Sequence, residues 1–365
     1  MKIQVPKETL VKSLKRAQGI ADKKSTMPML ANALLKVVNK DELWVAATDL
    51  NVSVTTKIKC NSEGEWGITL NAKALHDMVV NAPAEDIEIS KAKNNWAEIT
   101  SGHVNYRVVG TPDLDFPKIP EIEKSELVDM DPETFRDMID KTLYSVSNDE
   151  TRYHLNGVLF ECDGKTGRMV STDGHRLSKV ERPLSGALKL SAGVIIPKKG
   201  LIEIRKGLEN QQSCQMAIKS PYMFLETKDT TLVVKLIESQ FPPYQQVIPE
   251  GNNKIVVVEK GAFTAALKRA SLMSSETRGV RVHVADKNIQ ISSDNPDIGE
   301  VKENLPSDYS GDALTIGFNP KYILDMLAQV KEEKVELALS TELDPVLVRP
   351  QGDDAYLGVV MPMRI

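Results

Sequence analysis

The sequence predicts an α+β protein of three similar domains. Three observations carry this: one helical pattern returns at near-constant spacing, β-rich stretches fill the intervals, and the repeat length divides 365 residues into thirds. The first copy of the helix runs from Val5-Pro6-Lys7-Glu8-Thr9-Leu10 through Leu14 to Ala17. The second runs from Met130-Asp131-Pro132-Glu133-Thr134-Phe135 through Ile139 to Thr142, and the third from Val258-Glu259-Lys260-Gly261-Ala262-Phe263 through Leu267 to Ala270. Leu10, Phe135 and Phe263 lie 125 and 128 residues apart. Apolar residues at i, i+4 and near i+7 give each copy one face to bury. Asp131-Pro132 adds a capping side chain and a proline preset for the first helical turn.

Each copy then reaches a strand ending in a hydroxyl–acid pair: Thr48-Asp49, Thr172-Asp173 and Ser293-Asp294. A second helix follows over Ala72 to Val80, Lys198 to Leu208 and Pro320 to Val330, marked by Leu75, Leu201 and Ile323. Alternating strands close each repeat at a proline-bearing exit: Asp115-Phe116-Pro117, Phe241-Pro242-Pro243 and Met361-Pro362-Met363. Stretches such as Glu42 to Val54, Lys287 to Ser292 and Lys334 to Ser340 have the period-2 or β-rich character of antiparallel sheet. Helices on one side of such sheets make an α+β layout. The expected domains are 1–121, 122–250 and 251–365, with linkers in Pro117 to Glu126 and Pro249 to Lys254. A period of about 122 residues is too long for a solenoid unit, and an arc of equal domains closes naturally into a ring when head meets tail.

Composition narrows the class. With 41% hydrophobic and 27% charged residues the chain is neither disordered nor, lacking a long apolar run, membrane-spanning. Met1-Lys2-Ile3-Gln4-Val5-Pro6-Lys7 lacks the apolar core of an export signal. Cys60, Cys162 and Cys214 are odd in number and far apart, so neither a disulfide framework nor a zinc site is encoded. A reducing cytoplasm is the compartment these features predict.

The 46 basic and 51 acidic residues give a net charge of −5, against a surface that grips nucleic acid everywhere. The charge is segregated, however. Residues 7–24 carry +4, 198–209 carry +2 and 260–269 carry +3, whereas 131–143 carry −2. If the helices share a face, that face is basic on an acidic body, the pattern that binds phosphates locally and repels them elsewhere. Aromatics are only 5%, so base stacking is not provided for and backbone contact is favoured over sequence readout.

A screen for chemistry finds little. Gly164-Lys165-Thr166 matches the end of a phosphate-binding loop, but Leu159 stands where the pattern needs glycine. Ser171, Asp173 and His175 fall on one side of a strand, whereas a hydrolytic triad converges from separate elements. His76, His103, His154, His175 and His283 lack metal-ligand spacing. No enzyme signature survives, and no metal or cofactor is expected. On the residues alone, Met361 and Met363 read as core.

Several motifs together resemble one family. These are the start Met1-Lys2-Ile3-x-Val5 with Pro28-Met29-Leu30-Ala31-Asn32, and the run Arg152-Tyr153-His154-Leu155-Asn156-Gly157-Val158. Thr172-Asp173-Gly174-His175-Arg176-Leu177, Phe241-Pro242-x-Tyr244 and the ending Val359-Val360-Met361-Pro362-Met363-Arg364-Ile365 complete the set. They resemble the bacterial DNA polymerase III beta subunit, the sliding clamp, over essentially the whole chain. The resemblance implies a DNA clamp fold and a head-to-tail homodimer. Helices would line a ring around duplex DNA, with antiparallel sheets outside. It further implies a non-catalytic processivity factor, tethering the polymerase alpha subunit, clamp-loader subunits and other polymerases and repair proteins through short linear peptides.

Position by position, it places Lys24, Lys73, Asn148, Tyr153, His154, Lys198, Lys199 and Arg278 near DNA, with Asp149 a departure from the family pattern. It places Leu155, Thr172, Gly174, His175, Arg176, Leu177, Pro242 and Val247 in one part of a peptide pocket. Arg152, Asn319, Tyr322, Leu343, Pro345, Val359, Met361, Pro362, Met363 and Arg364 supply the rest. Leu, Val, Pro and Met make an adaptable apolar cleft in which Arg and His can orient a peptide. At the subunit interface it pairs Tyr106 and Val108 with Leu272 and Met273, and sets Glu300 and Glu303 against Lys73 and Arg107. His103 and Asn105 stand where the family often has basic residues.

Overall fold

The computed structural model describes residues 2–22, 24–188, 190–274 and 279–364. Among them are six α-helices: α1 (Lys7–Ile20), α2 (Ala72–Val80), α3 (Pro132–Leu143), α4 (Lys198–Gly207), α5 (Lys260–Ser271) and α6 (Pro320–Leu327). They fall two to a repeat where the apolar spacing predicts them. All six marker residues, Leu10, Leu75, Phe135, Leu201, Phe263 and Ile323, are buried. The starts follow local chemistry. Pro6 precedes α1, α3 opens on Pro132, and the Asn71, Glu259 and Asn319 side chains accept from the first free N–H groups of α2, α5 and α6.

The chain forms two compact units, 1–132 with 199–236 and 133–198 with 237–365. The division runs through the central repeat. The first unit holds a five-stranded sheet, in order Asn61–Ser62, Lys2–Pro6, Asp86–Lys91, Trp96–Ser101, Val104–Val109. Its eight-stranded sheet runs Val128–Met130, Cys214–Lys219, Tyr222–Glu226, Thr230–Lys235, Val52–Lys59, Glu42–Thr48, Asn32–Val38, Gly67–Asn71. The second unit repeats the plan. Its eight strands are Val194–Pro197, Gly157–Asp163, Thr166–Thr172, Arg176–Pro183, Tyr356–Val360, Val346–Pro350, Lys334–Leu339 and Lys254–Glu259. A four-stranded sheet follows, Gly299–Pro306, Asn288–Asn295, Val280–Ala285 and Leu314–Phe318.

Each eight-stranded sheet therefore takes four strands from the central repeat and four from a terminal one. The seams are antiparallel. Thr230 to Val234 pair with Thr56 to Val52, and Arg176 to Val180 pair with Val360 to Tyr356. Both sheet faces are covered. In the second unit Phe160 points at α3 and meets Phe135 edge-on at 5.9 Å. Its neighbour Leu159 faces the other way, into a cluster with Val170, Leu177, Leu347, Val359 and Tyr244, on which Phe241 and Ile248 pack. In the first unit Ile119, Ile122 and Leu127 lie over Ala217, Phe224 and Val233.

Three expectations are corrected. Glu42 to Val54 is not one strand but the hairpin Glu42–Thr48 and Val52–Lys59, because Asp49 caps a turn there. In the third repeat Ser293-Asp294 lies inside Asn288–Asn295, and the turn falls beyond it, where Asn295 caps Asp297. The expected linkers are not free connectors. Pro117 to Glu126 places Ile119 and Ile122 on the sheet, and in Pro249 to Lys254 the Asn252 amide donates to the Ala338 and Pro345 carbonyls.

One buried charge network ties α3 to the last repeat. The Lys141 ammonium donates to Asp137 at 2.9 Å and Asp353 at 3.2 Å, and the Arg182 guanidinium donates to both carboxylates. Burial alone would raise the Asp353 carboxyl, but Arg182 and Lys141 outweigh it and hold it below its ordinary value. Asp137 is depressed in the same way by Lys141 and Lys331. Carboxyls depressed by folding add stability above the unfolded pKa of about 4 and lose it as pH falls through the folded value. Asp353→Asn leaves buried Lys141 and half-buried Arg182 short of a partner and is expected to cost about 2–4 kcal/mol at neutral pH. Its melting temperature should also fall less between pH 5 and pH 3 than the native protein's, as read by calorimetric melts.

Candidate functional site

The turn Thr172–Arg176 is the centre of the candidate pocket. The Thr172 hydroxyl takes the Gly174 N–H, and Asp173 Oδ1 takes the His175 and Arg176 N–H groups at 3.0 and 3.1 Å. Gly174 sits at φ 91°, and a Cβ there would lie 2.8 Å from Arg152 Nη1. The left-handed φ favours glycine, and any Cβ there would push the tip of the Arg152 side chain aside. The first repeat makes the same turn with Thr48, Asp49 and a left-handed Leu50.

Arg176 is only 8% exposed and spends all three guanidinium nitrogens inside the protein. Nε donates to Asp173 at 3.0 Å, Nη1 to Asp325 at 2.7 Å and Nη2 to the Tyr144 carbonyl at 2.7 Å. The Tyr322 and Tyr144 rings flank it, 4.8 and 5.4 Å from centroid to guanidinium carbon. Tyr322 in turn stacks on His175, the rings 6.2 Å apart and 10° from parallel. Arg176 is thus a structural cation, not one free to orient a peptide; Arg152 is the more available. Arg152 Nε donates to Asp149 and Nη1 to the Asp173 carbonyl, and its side chain is 40% exposed.

The C-terminal tail borders this turn. Met361 N–H donates to the His175 carbonyl at 2.9 Å, continuing the seam ladder by one rung, and Met363 N–H donates to the Gly317 carbonyl. Met361 is 39% exposed and Pro362 and Met363 are partly so, which overturns the reading of the two methionines as core. Leu155, Leu177 and Val359 are buried and form floor, not lining surface. Thr172, Asn319, Tyr322, Pro242 and Pro345 are half-buried, while Val247, Leu343 and Arg364 are exposed. An open hollow lined by His154, Gln240, Phe241, Pro242 and Pro243 lies next along the same unit.

The DNA-side residues divide between the units. In the first, Lys24 and Lys73 are exposed, and Lys199 reaches the Asp49 carboxylate and the Ile20 carbonyl. In the second, Tyr153 is exposed and Lys198 donates to the Asn148 amide oxygen at 2.7 Å. Burial, with a smaller push from Arg176, lowers the Lys198 ammonium from its usual pKa. Hydrogen bonds from Thr151 and Arg152 hold the Asp149 carboxyl below its ordinary value, so this departing residue is an anion that secures Arg152. Arg278 lies outside the described residues.

Two sheet edges carry the interface candidates. Val104–Val109, with half-buried Tyr106 and Val108, ends the five-stranded sheet, and Gly299–Pro306 ends the four-stranded one. Leu272, just past α5, is 74% exposed and Met273 is half-buried. Within the chain Glu303 is gripped by both ends of the Arg269 fork, Glu300 pairs with Lys302, and Arg107 covers the Trp96 ring. His103 and Asn105 are exposed beside that edge.

The hydrolytic arrangement is absent. Ser171 is buried and bonds Ser145 Oγ and the Thr142 carbonyl, and Asp173 bonds backbone and Arg176, not the His175 ring. Among the described residues no group of three or more His, Cys, Asp or Glu is placed to hold a metal, and no helix is long and apolar enough to cross a membrane. Gly164 turns a hairpin with φ 64°, not a nucleotide loop. Tyr144 and Asp325 escaped the sequence reading. Each lies within an amphipathic helical run or just past one, where nothing local distinguishes it from a solvated residue.

A tandem α+β protein whose neighbouring repeats share continuous eight-stranded sheets is of the clamp class. The comparisons make this specific. The models of the DNA polymerase III beta subunit N-terminal, central and C-terminal domains match residues 1–120, 129–243 and 245–364. The chain is 32% identical to the beta sliding clamp of Vibrio cholerae over the whole of both chains. Two solved sliding clamps bound to griselimycin, from Pseudomonas aeruginosa and Bartonella birtlesii, each superpose over the whole of both chains at TM-score 0.94 and 30% identity. The chain belongs to the DNA polymerase III beta subunit family, the bacterial sliding clamps.

Gly174→Ala forces a side chain into a left-handed position against Arg152 and is expected to cost about 1–3 kcal/mol. The loss should be visible in thermal melts as a lower midpoint, whereas the same change at solvent-facing Gly251 should leave the midpoint unmoved.

Proposed function

We propose that two copies of this chain close head to tail into a ring around duplex DNA. There the ring tethers the replicative polymerase and other replication and repair proteins for processive synthesis, and carries out no chemistry itself. The observation that supports this best is the pair of open sheet edges, Val104–Val109 in the first repeat and Gly299–Pro306 in the last. An unpaired edge is a template for another strand, and two different edges on one chain make a heterologous contact that can close. Beside the first edge an apolar hollow is lined by Leu70, Ala74, Leu75, Met78, Ile99 and Val108. The exposed Leu272 of a second copy, with Met273, is the plug that fits it. Glu300 and Glu303 would meet Lys73 and Arg107 around this apolar centre, a polar rim about a dry core.

In this reading Lys24, Lys73, Lys198 and Lys199, with Asn148, Tyr153, His154 and Arg278, meet the phosphate backbone. Charge directed at phosphates binds any sequence and slides, whereas base-specific contacts would stop the ring. Holding comes from topology and needs little affinity. The cleft around His175, Tyr322 and Met361 takes short linear peptides from the polymerase alpha subunit, the clamp loader and other partners, and griselimycin, bound by two solved relatives, is a small-molecule probe to test on it. The domain limits 1–121, 122–250 and 251–365 and a cytoplasmic site of action belong to the same reading.

Retention on circular nicked DNA, with release once the DNA is cut, is the test of encirclement; equal retention on both forms would refute it. Leu272→Ala with Met273→Ala is expected to convert dimer to monomer by light scattering, since the interface loses its apolar centre, and an unchanged mass would sink this assignment. Reversing Lys24 and Lys198 to Glu should slow loading onto DNA, and the deficit should shrink as salt is raised from low to physiological strength.

A further inference from the structure

We propose that Asp325 is a positioning residue of the peptide pocket, acting through Arg176 to fix Tyr322 and His175 in the wall a ligand meets. The proposal rests on the pocket reading above and adds a residue to it. Asp325 Oδ2 accepts from Arg176 at 2.7 Å, and Lys321 satisfies both carboxylate oxygens from the solvent side at 2.8 and 3.0 Å. Arg176 in turn links α6 to the Thr172–Arg176 turn and to the end of α3, and its guanidinium lies against the Tyr322 face. The stacked His175 continues the column to the surface, where its carbonyl holds the tail at Met361.

The first repeat shows that the fold does not require this brace. Thr48 to Val52 form the same capped turn, and Lys235 N–H donates to the Asn51 carbonyl as Met361 does to His175. Yet Val52 stands where Arg176 stands, Gly200 where Tyr322 stands, and Glu203 where Asp325 stands. Glu203 pairs with Lys206 on its own helix, and Gly200 lets α4 lie so close to Val234 that a Cβ would be 2.3 Å from it. Turn and seam are common to both repeats. The aromatic–cation column exists only where the cleft is, so its role is to hold the cleft's shape, not to make the turn.

Loss of the Asp325 carboxylate leaves Arg176 with Asp173 on its own turn and the Tyr144 carbonyl, and removes its hydrogen bond to α6. Tyr322 then loses the cation it packs on, and the wall must be ordered at the moment of binding, which costs affinity. The probe is griselimycin, titrated calorimetrically into the full-length protein. Asp325→Ala is expected to weaken binding by about tenfold or more, Asp325→Asn by less because its amide oxygen still accepts from Arg176, and Lys321→Ala by under about twofold. The His175 ring-proton resonance should move in Asp325→Ala and not in Lys321→Ala, while the molar mass stays native.

Native affinity and an unmoved His175 resonance in both Asp325 variants would overturn the proposal. So would an affinity loss that vanishes on cooling well below the variant's melting point, since the defect would then be general unfolding. Deleting residues 361–365 separates the two readings. Binding that survives the deletion refutes the pocket and the proposal with it, whereas binding abolished by the deletion but native in Asp325→Ala refutes the proposal alone.

Discussion

Main-chain hydrogen bonding across two seams is the constraint on which the rest depends. Val52–Lys59 pairs with Thr230–Lys235, and Arg176–Pro183 with Tyr356–Val360, so neighbouring repeats share a sheet instead of touching through side chains. A ladder fixes register, because a slip of one residue would turn every buried side chain outward. At the second seam that register sets which residues emerge at its end: Arg176 lies opposite Val360, and the next residue, Met361, begins the exposed tail. The pocket is thus a by-product of where a seam stops, furnished with side chains the other seam lacks.

The division between firm and yielding parts follows from the chemistry at that point. Below the pocket, Leu177 and Val359 are sealed under Tyr244, Phe241 and Ile248, and Arg176 is held by two carboxylates and a carbonyl. Above it, backbone N–H groups anchor Met361 and Met363, whose unbranched side chains can adapt in rotamer. A fixed floor with a pliable lip is the arrangement the proposed binding of related but unequal peptides would call for.

Fold class and repeat number were legible because burial recurs in the sequence at fixed intervals: Leu10, Phe135 and Phe263 mark the same buried place three times. One helix start was legible through Asp131-Pro132, whose chemistry is local; the Asn319 cap emerges only from the structure. The hairpin at Asp49 was not separated from its strand, because Leu50 adopts a left-handed conformation that only its neighbours' hydrogen bonds support. The pocket residues came through family resemblance; their individual roles did not. Arg176 reads as a ligand-facing cation until Asp325, 149 positions later, is seen to neutralise it. Long-range pairing of this kind leaves no periodic trace.

The seams also bear on what could be inherited or exchanged. The compact units are not the repeats: each combines a terminal repeat with half of the central one. A central segment cut out at its sequence boundaries would expose Arg176–Pro183 and Thr230–Lys235 together, two strand edges with no partner to cover either. Recombination at the repeat borders would hand the recipient a sticky fragment, whereas exchange of the full chain preserves every edge pairing.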